Sequence, residues 1–175
     1  MTRMRLLIEV IVLEFRDDSY CGLFCGACDS LLSTREGTLE DLAEGSRYSP
    51  QELFCQGCKS SATNVFCKKC SIRQCAQEKK LEFCYMCAEY PCEKLKCFRS
   101  DSHPHHSVVL RNLRSISSMG ARKWLEQQRI RWQCSSCGRR FSWYEEVCKN
   151  CGAKLFNCVS EDKTLSENDH QAPIG

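Results

Sequence analysis

Hydrophobic positions along this chain come in short bursts, and few of them keep a period long enough to define an element. Residues 1–18 open with Leu6, Leu7, Ile8, Val10, Ile11, Val12, Leu13 and Phe15, a β-branched run that predicts a short strand. This lead reads as an N-terminal extension that packs on the domain or precedes the working fold. Thr38, followed by Leu39, Asp41, Leu42 and Ala43, predicts a capped helix ending near Gly45. Ser49-Pro50-Gln51-Glu52 is a second helix start, with proline at the first helical position. Val108, Leu110, Leu113, Ile116 and Met119 approximate helical spacing up to Gly120. Beyond that break, Arg122 to Arg131 resumes with Trp124, Leu125 and Ile130 facing inward. Residues 159–175 are polar and carry acids, the composition of a disordered tail.

Composition explains why the pattern is so sparse. Leu, Ile, Val and Phe make up about a fifth of the chain, close to the level at which packing alone stops sustaining a fold. The 17 cysteines change the picture, because a small module can be stapled by metal instead. A structural zinc contributes about 10–16 kcal/mol in finger peptides. Disulfides are the other staple, and three features argue against them. The cysteine number is odd, Cys-x2-Cys spacing suits few bridges, and no secretory signal is legible. Leu6 to Leu13 is the one candidate signal core; Glu9 interrupts it and no small-residue cleavage site follows. No run is long enough to span a bilayer, so a cytoplasmic protein with no membrane partner is expected. The net charge of +3 demands no polyanion.

The cysteines are patterned. Phe66-Cys67-x2-Cys70-x4-Cys75 is repeated as Phe83-Cys84-x2-Cys87-x4-Cys92, and Phe-Cys-x2-Cys also occurs at Cys25/Cys28 and Cys55/Cys58. Two cysteines so spaced put both sulfurs on one side of a tight turn, half of a tetrahedral thiolate site. Cys21-x3-Cys25-x2-Cys28 precedes them, with Gly22 and Gly26 free to bend the backbone toward the sulfurs. Cys134-x2-Cys137-x10-Cys148-x2-Cys151, with glycine after the second and fourth cysteines, is the spacing of a zinc ribbon. Phe141, Trp143 and Tyr144 fall between its knuckles and are expected to pack against it. Cys21 to Cys97 hold 12 cysteines, enough for three further four-thiolate sites, with Cys158 spare. Two full sites, plus one completed by histidine or left incomplete, fits as well. Spacing does not say which knuckles pair, and Cys97 is the least patterned member.

Cys21-Gly22-Leu23-x-Cys25-x2-Cys28, Cys55-x2-Cys58, Ile72-Arg73-x-Cys75-Ala76 and Pro91-Cys92 together resemble the "domain of unknown function 3795" family. The resemblance covers about 80 residues. It implies a small cysteine-rich, zinc-binding protein with no established activity. The family pattern matches Cys21, Cys25, Cys28, Cys55, Cys58, Cys67, Cys70, Cys75, Cys84, Cys87 and Cys92. Cys97 and residues 1–18 fall outside it. The arginine-rich helix and Trp132-x-Cys134 are similar to a C-terminal extension carried by some members.

Catalysis finds little support. Cys-x3-Cys-x2-Cys at 21–28 is also the spacing of radical-SAM enzymes, but the following 70 residues lack the alternating strands that fold needs. An all-cysteine ligand set does suit an iron–sulfur cluster as well as zinc. His103, His105 and His106 either complete a metal site or decorate a linker. Residues 111–140 carry Arg111, Arg114, Arg122, Lys123, Arg129, Arg131, Arg139 and Arg140 against Glu126 alone. That block would meet nucleic-acid phosphates or simply be solvated. The expectation is a small metal-stabilised α+β fold: a multi-knuckle domain with short helices over 19–100, a linker and basic helical connector over 101–131, and a zinc ribbon over 132–158. It would be a non-catalytic interaction module for protein or nucleic acid. An iron–sulfur redox or sensor protein is the alternative.

Overall fold

Helices in this chain begin where knuckles end. Cys28, Cys70 and Cys92 are the N-cap residues of three helices, α1 (Asp29–Glu36), α5 (Ser71–Glu78) and α6 (Glu93–Arg99). The turn that gathers the sulfurs thus delivers an extended residue from which a helix can start. Between them run α2 (Leu39–Glu44), α3 (Pro50–Leu53) and α4 (Val65–Lys68). Ser49 and Glu52 close a capping box on α3, as Pro50 at the first position foretells. After α6 come α7 (Val109–Met119), α8 (Ala121–Arg131) and α9 (Cys158–Asp162). Three 3-10 turns, Cys25–Ala27, Cys84–Met86 and Pro104–His106, fill the joints. The computed structural model describes residues 14–165. The strand expected from Leu6 to Leu13 lies outside them.

The α+β expectation is corrected by this architecture. Among the described residues no strand forms; the extended pairing consists of isolated bridges at Asp18–Phe24, Gln133–Arg140 and Val147–Lys154. Single bridges accompany the first knuckle and the two C-terminal ones, while the Cys84 amide bonds to the Tyr20 carbonyl and that of Gln56 to Ala62 instead of to a neighbouring strand. No helix of the described residues is long and apolar enough to cross a membrane.

One core draws on both halves of the chain. Leu23 and Phe24 from the first knuckle, Ile72, Phe83 and Leu95 from the doubled block, and Val109, Leu113 and Ile116 of α7 are buried together. Trp124, Trp132, Phe141 and Cys148 belong to the same cluster. Residues 101–131, expected to act as linker and connector, therefore supply core. The close approach is made at Gly22, whose φ is +87° and whose missing Cβ would stand 2.9 Å from Leu113 Cγ and 3.0 Å from the Val109 carbonyl. Asn112 Nδ2 donates to the Gly22 carbonyl at 2.9 Å. In α8, Trp124 is buried as expected and Leu125 packs partly, but Ile130 is 74% exposed. Six residues past Trp124 a helix has turned to about 120° from the tryptophan, away from the core.

Buried acids tie the halves together. Asp17 takes Arg35 Nη2 at 2.7 Å and Arg129 Nε at 3.0 Å. Glu161 takes Arg131 at 2.7 Å and also Arg111. The polar tail expected to be disordered from Val159 thus begins inside α9, with Cys158 and Glu161 buried. Its residues 166–175 lie outside those described.

Candidate metal centres

Cys134, Cys137, Cys148 and Cys151 bring their sulfurs within 4.8 Å of one another. Cys134 and Cys151 stand 3.6 Å apart, as do Cys137 and Cys148. A disulfide would need about 2.05 Å. Four thiolates around one zinc, each at about 2.3 Å, define a tetrahedron with edges of roughly 3.8 Å. The two knuckles are built alike. Gly138 and Gly152 adopt positive φ and donate to the carbonyls of Cys134 and Cys148, at 2.8 and 2.9 Å. Cys134 and Cys148 in turn donate from their amides to Arg139 and Ala153. Cys134 and Cys148 face the core, while Cys137 and Cys151 face solvent. A hydrogen bond with Asn150 leads the causes that lower the Cys137 thiol to about 6. These residues could hold a metal ion. Phe141 packs as expected, Trp143 is half-buried, and Tyr144 stays exposed.

The N-terminal thiols are crowded but less converged. Cys21, Cys25, Cys55 and Cys58 are buried. Burial pushes Cys28 and Cys58 up to about 12 and also raises Cys21, Cys25 and Cys84. Cys67 donates to Cys55, which lowers Cys55 and raises Cys67. The Gly57 amide also donates to Cys55 Sγ, at 3.3 Å. A cation would reverse the cost of ionising such thiols, since ligation and deprotonation are one event.

The sequence repeat does not fold as a repeat. In the first copy, Cys67 lies in α4, reaches back to Cys55, and Cys70 caps α5. Its third cysteine, Cys75, sits inside α5. In the second copy, Cys84 lies on a 3-10 turn and Cys92 caps α6. Cys75, Cys84, Cys87 and Cys92 then line one cavity of about 500 Å³. No three of these four sulfurs approach within 4.8 Å of one another.

Residues 18–97 match the family model described as a protein of unknown function, DUF3795. That stretch, a little under half of the chain, is similar to the DUF3795 family. No curated protein and no solved structure matches the chain. The DUF3795 segment begins at Asp18, whose carboxylate holds Lys59 at 2.7 Å and Arg16 at 3.2 Å. Lys59 Nζ also lies 3.5 Å from the centre of the Phe83 ring. The segment closes at Cys97, which is exposed on α6 and stands apart from the four-cysteine cavity.

The histidines separate into two roles. His103 and His106 gather on Asp101, at 3.2 and 2.8 Å, in a second group that could hold a metal. No cysteine belongs to it. His105 instead stacks on Trp143, with centroids 4.1 Å apart, and its Nδ1 lies 2.7 Å from the Tyr144 hydroxyl. Cys158, the spare thiol, is buried beside Tyr144 and pushed up to about 11 by burial. Asp17, Lys59 and Glu161 went unpredicted, because their partners are remote in sequence and no local pattern marks a buried ion pair.

Proposed function

We propose that the chain is a non-catalytic, zinc-binding interaction module in which a DUF3795 segment and a C-terminal zinc ribbon share one core. The convergence of the Cys134, Cys137, Cys148 and Cys151 sulfurs carries this reading, because their 3.6 Å contacts suit tetrahedral thiolate ligation of a single ion. A closed four-thiolate set with no open position suits a structural zinc, and the short spacing of the sulfurs leaves no room for an iron–sulfide core between them.

Protein is the preferred partner. Of the basic block, Arg111, Arg129, Arg131 and Arg139 are held by Glu161, Asp17, Glu161 and Glu145. Phosphates would have to compete for these side chains. Exposed apolar side chains remain at Tyr144 and Val147 on the knuckles and at Ile130 on α8. An intracellular, reducing setting accords with all 17 cysteines being unbridged.

Metal analysis of the reduced protein tests the zinc assignment. One zinc per chain should disappear in Cys137→Ser, an exposed position, while helical circular dichroism persists. Zinc content unchanged by that substitution overturns the ribbon assignment. Binding to unrelated nucleic acid at low salt, weakening steeply as salt rises, would replace the protein partner with a polyanion.

A further inference from the structure

We infer that the cavity ringed by Cys75, Cys84, Cys87 and Cys92 is an iron–sulfur site, with one thiolate for each iron of a [4Fe–4S] cluster. The contrast within this one chain carries the inference. At the C-terminal knuckles four sulfurs close to the spacing of a single-ion tetrahedron. Around this cavity no three sulfurs do, yet all four line the same space of about 500 Å³. A single ion draws its thiolates together until each pair is roughly 3.8 Å apart. A cluster interposes an iron–sulfide core, so its cysteines stand farther apart and need room between them.

The walls suit such an occupant. Ile72 and Leu95, both buried, form apolar lining beneath the cysteines. Lys79 Nζ lies 3.5 Å from Cys87 Sγ and 3.1 Å from Glu89. An ammonium donating to a ligand sulfur offsets the negative charge that four thiolates bring, and such outer contacts tune cluster potentials. The four thiols come from α5, a 3-10 turn and the α6 N-cap, elements held by the buried Phe83 and Leu95. Supporting structure therefore already spaces the ligands.

The site is independent of the zinc assignment, and the test keeps the two apart. The full chain is isolated anaerobically from iron-supplied cells, or reconstituted with ferrous iron and sulfide. Iron, acid-labile sulfide, zinc and the visible spectrum are then measured together. The expected result is about four iron and as many sulfide per chain, a broad visible absorption, and zinc retained at the C-terminal knuckles. Cys92→Ser and Cys87→Ser should lose the absorption, whereas Cys97→Ser should keep it. Should those variants fail to fold, alkylation of the wild-type protein decides. Cys75, Cys84, Cys87 and Cys92 should be protected in the coloured protein and modified after iron is chelated. A colourless protein with zinc protecting these four cysteines overturns the inference, as does a chromophore that survives Cys92→Ser.

Discussion

Arg129 Nε lies 3.0 Å from Asp17 Oδ2, although the two residues are separated by 112 positions in the chain. Asp17 is 4% exposed and also holds Arg35, so one carboxylate fastens α1 and α8 to the strand-like entry of the DUF3795 segment. Truncating Asp17 to alanine leaves two arginines facing a buried gap, relieved in part because Arg129 is half exposed. A loss of about 2 kcal/mol is expected, read as a lower urea midpoint with unchanged slope. In a double-mutant cycle, Asp17→Ala and Arg129→Ala should couple by roughly 1 kcal/mol. Additive effects would mean that the pair does not join the halves.

Gly57 makes a sharper steric claim. It adopts φ +114°, and a Cβ there would fall 1.9 Å from the Arg16 carbonyl oxygen, a backbone atom. At Gly22 the nearest atom is a leucine side chain, which can shift. Gly57→Ala should therefore destabilise more than Gly22→Ala, by several kcal/mol against about 1–2. Melting temperatures of the two variants decide the order. Because Gly57 sits between Cys55 and Cys58, its variant should also bind less metal.

Acid sensitivity should have a contribution from His105. Burial first, then the neighbouring charges of His106 and His103, lower its pKa from 6.5 to about 3. For a base with a depressed folded value, the unfolded chain binds more protons between those limits. The stabilising contribution is thus complete above pH 6.5 and is lost as pH falls toward about 3. Thiolate ligands also lose metal in acid, so the comparison must be between proteins. His105→Gln should show a smaller drop in melting temperature from about pH 7.5 to about pH 5 than the parent does. Equal drops would remove His105 as a source.

How much of this was readable in the chain depends on range. Knuckle spacing pointed to the Cys134–Cys151 quartet, and its four sulfurs do meet. Ser49-Pro50 marked a helix start, and Gly120 marked the break between α7 and α8. These signals are local, set by residues within a few positions of one another. The doubled block misled, because identical spacing in Cys67–Cys75 and Cys84–Cys92 is placed by different surroundings, α4 with Cys55 in one copy and a 3-10 turn over a cavity in the other. Apolarity alone points Ile130 inward, whereas its helical angle from Trp124 turns it to solvent. Whether the basic block meets phosphates or is solvated is not legible locally, because the acids that hold four of its arginines, Asp17, Glu145 and Glu161, lie outside residues 111–140.

Metal removal from the reduced protein addresses the whole account most directly. Amide chemical-shift dispersion would be recorded before and after a strong chelator, with metal loss verified on the same sample. The account predicts collapse of the dispersed spectrum, since buried thiols replace much of the core that about a fifth of apolar side chains can build. A metal-free chain that keeps its dispersed spectrum would contradict it.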